Sequence, residues 1–106
     1  MASEINLQKR ILTYCKQLSN INNLFYYERR IAQGIGYKKG LPDLFIVYNG
    51  RHVEIELKDK KGSLSPLQLY YREHFKKANI THAVIRSFDE FLSLLNLLGI
   101  TLLDKK

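Results

Sequence analysis

Two acidic residues, Asp43 and Glu56, are the side chains of this sequence most able to do chemistry together. The pair Asn49-Gly50 lies midway between them, and it is typical of a type I′ hairpin turn because both residues tolerate positive φ. In a hairpin centred on that turn, Asp43 is opposite Glu56 on one face of the sheet. Lys58 follows on the same face. The spacing therefore predicts two carboxylates and an ammonium group at one end of a hairpin.

Like charges on directly opposed strand residues repel each other and destabilise a sheet. Mg²⁺ or Mn²⁺, which prefer carboxylate, carbonyl and water oxygens, would turn that repulsion into binding energy. We therefore predict a metal site with Asp43, Glu56 and the backbone carbonyl of Leu57 as ligands. Lys58 is then placed to hold an attacking water or to stabilise charge that develops on phosphorus. The alternative is a solvated strand face on which Glu56 pairs with Lys58.

Two further acids accompany this pair. Glu4 extends the inward stripe of a first helix and could point toward the metal, although a first-turn acid is also favoured by the helix dipole alone. Glu54 shares the carboxylate face but lies deeper, beside Phe45. A structural ion pair is its predicted role, with that of a spare metal ligand as the alternative.

The elements that must position these residues follow from periodicity, turn residues and capping residues. Ser3, Ser65 and Ser87 are the predicted N-caps, and Gly99 stops the last helix. The predicted elements are, in order, a helix over 4–19, strands over 24–32, 43–48 and 51–58, a helix over 66–79, a strand over 81–86, a helix over 88–98 and an edge strand over 100–103. This order, α-β-β-β-α-β-α(-β), predicts one α/β domain over residues 1–106, with a mixed central sheet flanked by helices.

Composition restricts the function classes. The 106 residues carry 17 Lys and Arg against 10 Asp and Glu, a net charge of +7, so a nucleic-acid partner is the first to consider. The lone Cys15 excludes an intramolecular disulfide, and the histidines have no zinc-ligand spacing. No apolar run is long enough for a membrane span, so a soluble intracellular protein is expected.

Cations flank the predicted acidic end in sequence. Lys38 and Lys39 precede Asp43, and Lys60 and Lys61 follow Lys58, so these lysines are predicted to bind the phosphate backbone of a nucleic acid. Arg29 and Arg30 on the first strand, with Tyr26 and Tyr27, could extend that surface. A simple exposed edge is the alternative for this strand.

The same residues carry a resemblance to a known family. Gly40-Leu41-Pro42-Asp43, followed by Glu56-Leu57-Lys58, resembles the PD-(D/E)xK nuclease signature, and Gly62-Ser63-Leu64-Ser65 before Gln68 narrows it. From about residue 4 to residue 92 the chain resembles a stand-alone VRR-Nuc domain, the virus-type replication-repair nuclease.

That resemblance implies a restriction-endonuclease-like fold, with Asp43 and Glu56 on the metal, Lys58 assisting hydrolysis and Gln68 belonging to the site. Glu4 matches the acidic residue that the family carries in its first helix. Because Gln68 is also the third helical residue after Ser65, a capping box without a catalytic role remains open for it.

The function implied is a metal-dependent deoxyribonuclease acting on branched or structured DNA, of the Holliday-junction or flap type. If the source is viral, the host cytoplasm would be its location. The alternative is a basic DNA-binding accessory module with the same fold and no turnover.

A homodimer is also predicted, from the helix over 88–98. Apolar residues occupy most of the circumference of this helix, whereas a helix that covers one face of a sheet needs only a single apolar stripe. The apolar surface outside that stripe needs a partner to cover it. A two-fold pair would suit a symmetric junction. The segment 100–103 folding over the helix, or a different protein covering it, are the alternatives.

Overall fold

The computed structural model describes residues 4–30 and 39–100, and these residues form the predicted order of elements. The elements are α1 (Glu4–Ile21), β1 (Phe25–Arg29), β2 (Leu44–Tyr48), β3 (Arg51–Leu57), α2 (Pro66–Lys77), β4 (Thr81–Ile85) and α3 (Phe88–Leu97). The predicted cap Ser3 and residues 101–103 of the predicted edge strand lie outside the described residues. β1 is shorter than the predicted run over 24–32, and residues 31 and 32 also fall outside.

The four strands of the described chain form one mixed sheet in the order β1-β2-β3-β4. The first three pair antiparallel, and β3 pairs parallel with β4 through the α2 crossover. The turn between β2 and β3 has φ of 50° at Asn49 and 86° at Gly50, as a type I′ turn requires. Leu44 pairs with Ile55 and Ile46 with Val53, so the predicted hairpin register is confirmed.

One face of the sheet is the core. Leu44, Ile46, Val53 and Ile55 are buried there together with side chains of α1 and α3. The buried α1 residues recur at helical spacing, Leu7, Ile11, Cys15 and Leu18, and the buried α3 residues are Phe91 and Leu95. Because strand side chains alternate, the same strands send Glu54 and Glu56 to the opposite face.

The second helix, α2, lies against β4 and contains no buried residue. Ser65 caps it and Pro66 opens it, as predicted. Of the apolar residues that recur at helical spacing in this segment, Tyr71 and Phe75 are half-buried, whereas Leu67 is 41% exposed and Ala78 is an exposed C-cap. Gln68 of this helix donates a hydrogen bond to Glu56, and Phe75 stacks on His82 of β4.

The third helix ends as predicted, with Gly99 at φ 85° after the C-cap. Ser87 is the N-cap, as predicted, but it forms only half of a capping box with Glu90. Ser87 accepts the Glu90 N–H at 3.1 Å, but the Glu90 carboxylate accepts the N–H of Arg86 and not that of Ser87.

No helix in the described part of the chain is long and apolar enough to cross a membrane.

Candidate active site

Asp43 and Glu56 meet at the end of the hairpin. Asp43 precedes β2, and its backbone carbonyl accepts the N–H of Arg30 at 2.8 Å. Its side-chain Oδ2 accepts the N–H of Leu57 at 2.7 Å, which holds the carboxylate across the strand end beside Glu56. Glu56 is 2% exposed on β3. The structure therefore brings together the two acids that the hairpin register paired.

The surroundings of Glu56 disfavour its ionised form. Burial raises the pKa of Glu56 to about 8, and the negative charge of the adjacent Asp43 raises it further. Lys58 partly offsets this rise, while Glu4 adds to it. The site thus holds more negative charge than the neighbouring ammonium compensates, and a bound cation would relieve it.

The two oxygens of Glu56 differ in their contacts. Oε2 accepts a hydrogen bond from Gln68 Nε2 at 2.8 Å, whereas the buried Oε1 has no hydrogen-bond partner among the described residues. A buried carboxylate oxygen without a donor is costly and calls for an explanation. An oxygen donor beside a second carboxylate is also what a hard divalent cation coordinates. The residues present therefore fit Mg²⁺ or Mn²⁺.

Gln68 combines the two roles that the sequence left open. Its Oε1 accepts the N–H of Ser65 at 2.8 Å and its backbone N–H donates to Ser65 Oγ at 3.2 Å, which completes the capping box. Its Nε2 remains free to donate to Glu56. One amide side chain thus links the start of α2 to the buried acid, because an amide both accepts and donates.

Lys58 and Glu4 lie at the edge of the acid pair. Burial raises the pKa of Glu4, the charges of Asp43 and Asp59 raise it further, and Lys58 lowers it. Glu4 is therefore close enough to the site to interact with it. In the described ranges, however, no three Asp, Glu, His or Cys side chains form a metal-binding group. Glu4 therefore does not join Asp43 and Glu56 in a three-residue metal-binding group.

Glu54 takes the structural ion pair predicted for it. Its carboxylate, 3% exposed, contacts both terminal nitrogens of Arg30, at 2.5 and 3.0 Å, and His52 Nε2 at 2.7 Å. Arg30 Nη1 also donates to the carbonyl of Pro42 at 3.1 Å. The Arg30 guanidinium, proposed from the sequence as a DNA contact, is thus engaged inside the protein. Sequence reasoning missed its link to the Pro42-Asp43 segment, which no local pattern signals.

The other predicted phosphate-binding residues lie at the surface where they are described. Arg29, Lys39, Lys60 and Lys61 are exposed, and Lys38 lies outside the described residues. The loop that carries Lys60 and Lys61 is ordered by Asp59, whose Oδ1 accepts the N–H groups of Lys61 and Gly62. Arg86, which directly follows β4, holds this loop by donating hydrogen bonds to the carbonyls of Asp59 and Gly62, a role that the sequence did not reveal.

Comparison with known proteins supports the fold. No family model and no curated protein matches the chain. A solved structure described as a "VRR_NUC domain" is similar to it, with a TM-score of 0.63 and 23% sequence identity over 90% of this chain and 97% of that one. The chain therefore has the fold of a VRR_NUC domain, and the predicted resemblance is confirmed at the level of the fold.

Proposed function

We propose that this protein is a metal-dependent deoxyribonuclease that hydrolyses phosphodiester bonds in structured or branched DNA. The observation that carries the proposal is the pair of acids at the hairpin end, in which the buried Glu56 Oε1 has no described hydrogen-bond partner and Asp43 is adjacent. Its fold, shared with a VRR_NUC domain, supports a nuclease over other uses of such a pair.

The proposed cofactor is Mg²⁺ or Mn²⁺, held by Asp43 and Glu56. The backbone carbonyl of Leu57 and, at the edge of the site, Glu4 are the proposed additional oxygen donors. Such a cation, when bound, supplies Lewis acidity toward a phosphoryl oxygen and acidifies a coordinated water.

The chain's own residues contribute orientation and charge. The N–H of Leu57 fixes the Asp43 carboxylate, and Gln68 fixes one oxygen of Glu56 so that the other faces the site. Lys58, whose positive charge lowers the pKa values of Glu56 and Glu4, would stabilise the charge that develops on the phosphoryl group. The Lys58 side chain passes close to Gly62, where an added Cβ would lie 3.3 Å from Lys58 Cδ.

DNA is the proposed partner, and its phosphates would contact the lysines at 38, 39, 60 and 61 and Arg29. The net charge of +7 supports this, because phosphate contacts dominate non-specific affinity for DNA. The preference for junctions or flaps rests on the family resemblance. We also propose that two copies of the chain pair, as a symmetric junction would require.

The competing function is a DNA-binding module without turnover. Cleavage of a panel of branched and linear DNA in Mg²⁺ and Mn²⁺ separates the two. We expect Asp43→Asn and Glu56→Gln each to abolish cleavage and retain DNA binding, since each removes an acidic ligand and leaves the basic surface intact. Glu73→Gln, which alters an exposed acid on α2 away from the acid pair, is the matched control.

Cleavage at the control rate by either site variant would remove that acid from the mechanism. Absence of metal-dependent cleavage of every DNA by the unaltered protein would favour the binding module.

A further inference from the structure

A cleft of about 360 Å³ borders the candidate active site on the side of α1 and α3. Lys58 lines it, so the cleft and the acid pair share a wall. The volume lies within the range of sites that hold a small molecule. Neither the sequence motifs nor the proposed metal site accounts for this cleft.

The charge of the cleft is predominantly positive. Four cations and two acids line it: Arg10, Lys58, Lys60, Arg86, Asp59 and Asp89. Asp59 is already occupied by two backbone N–H groups of its own loop. Among the described residues, none of the four cations is within ion-pair distance of a carboxylate. The cleft therefore offers cationic groups to an anion.

Part of the cleft wall is apolar and part of it is held in place. Leu7 and Phe88 line it, and the Arg10 guanidinium lies 4.0 Å from the centroid of the Phe88 ring. This contact orients Arg10 without neutralising its charge. Arg86 is fixed by its bonds to the carbonyls of Asp59 and Gly62. Cations beside an apolar wall match a nucleotide, which joins a phosphate to a sugar and base.

We propose that this cleft binds one nucleotide of the DNA strand, with an internal phosphodiester, next to the bond that is cut. The inference rests on the proposed function for its orientation: Lys58 serves the reacting phosphate on one side, and Arg10, Lys60 and Arg86 bind the neighbouring phosphate on the other. The sugar and base contact Leu7 and Phe88. Arg10 and Arg86 thereby become specificity-determining residues for a nucleic acid.

The test is a titration of the whole ¹⁵N-labelled protein in EDTA, followed by NMR, with the trinucleotide d(TpTpT) lacking terminal phosphates. We expect saturable shifts of the backbone amides at Lys60 and Phe88. Arg10→Met should raise the Kd at least fivefold. Lys16→Met, which removes an exposed charge from the same helix, should change the Kd less than twofold. Lys60→Ala, in an exposed loop, should also weaken binding and serves if Arg10→Met does not fold.

Three results would overturn the proposal. The first is equal Kd values for Lys16→Met and the cleft variants. The second is an affinity for d(TpTpT) no higher than that for inorganic phosphate, because the apolar wall would then contribute nothing. The third is that thymidine 3′,5′-bisphosphate binds and d(TpTpT) does not. The cleft would then recognise a terminal phosphate at a strand end and not an internal phosphodiester. Because the titration contains no metal and measures no cleavage, its failure is distinguishable from failure of the nuclease proposal.

Discussion

At the scale of single residues, two buried acids on one strand differ in how their negative charges are compensated. Glu54 and Glu56 are each 2% exposed and face the same side of β3. Glu54 is compensated by Arg30 and His52, whereas Glu56 receives one hydrogen bond from the neutral Gln68 and lies beside Asp43. Burial alone therefore does not indicate a functional site, and it is the uncompensated charge of Glu56 that supports the site proposed there.

Removing Arg30 should destabilise the protein. Arg30→Met leaves the Glu54 charge buried without its partner, so we expect the free energy of unfolding to fall by roughly 3 kcal/mol. The double variant Arg30→Met/Glu54→Leu should recover most of that loss. Urea denaturation measures both, with Arg29→Met on the exposed neighbouring residue as the control. An Arg30→Met variant as stable as the control would show that the pair contributes little.

Glu56 should make the metal-free protein less stable as pH rises. Its folded pKa of about 8 lies above the ordinary 4.5, so between these values the unfolded chain loses the proton that the folded chain keeps. In EDTA, the stability of the unaltered protein should therefore fall across this window by at least about 1.4 kcal/mol, the equivalent of one pKa unit. Glu56→Gln should flatten the profile.

Thermal denaturation at several pH values measures this dependence, with Glu73→Gln as the control. Mn²⁺ at the alkaline end should raise the Tm of the unaltered protein and leave that of Glu56→Gln nearly unchanged. Identical pH profiles for the unaltered protein and Glu56→Gln would contradict the burial of the Glu56 charge.

At the scale of elements, the segment before β2 is held against α2. Gly40 has φ 88°, and a Cβ there would lie 2.5 Å from Leu67 Cγ. Gly50 has nearly the same φ, 86°, but open space around it. A substitution at Gly50 therefore reports the cost of backbone strain alone, whereas one at Gly40 adds the cost of a steric clash with Leu67. The contact matters to the site because Gly40 leads to Asp43 and Leu67 adjoins Gln68.

Gly50→Ala should cost about 1–2 kcal/mol from the positive φ alone. Gly40→Ala should cost more, because it adds a clash with Leu67 to the same strain. Leu67→Ala in that background should recover the added part. Chemical denaturation of these three variants and of the unaltered protein checks the order. Equal losses at the two glycines would show that the segment moves away from α2 without penalty.

At the scale of the whole molecule, the structure changes the argument for a dimer. Most of the apolar circumference of α3 is covered, with Phe91 and Leu95 buried and Phe88 packed edge-on against Tyr14. Leu97 remains 82% exposed. Leu69 and Tyr70 of α2 are also exposed, so unpartnered apolar surface lies on both of these helices.

We expect light scattering at micromolar concentration to give twice the mass of 12.4 kDa. If α3 forms the interface, Leu97→Lys should shift the mass toward the monomer, whereas Tyr70→Lys should not. A reversed result would assign the interface to α2, and a monomeric mass for the unaltered protein, with and without DNA, would contradict the dimer.

What the sequence determined by itself is local. The Asn49-Gly50 turn specified the register of the hairpin, and with it the meeting of Asp43 and Glu56, because a two-residue turn leaves one pairing that buries the apolar face. Ser65 with Gln68 determined where α2 begins, since those groups satisfy each other within one turn of helix. Helical spacing determined which side of α1 is buried.

Only the tertiary structure decided the partners that are distant along the chain. Arg30 and Glu54 are 24 residues apart, and Arg86 bonds to a carbonyl 27 residues away. The interaction of Glu4 with Asp43 and the hydrogen bond from Gln68 to Glu56 likewise depend on where the helices cross the sheet. Periodicity and capping act within one element or one turn, so they define each helix and strand but not which side chains meet when these elements pack.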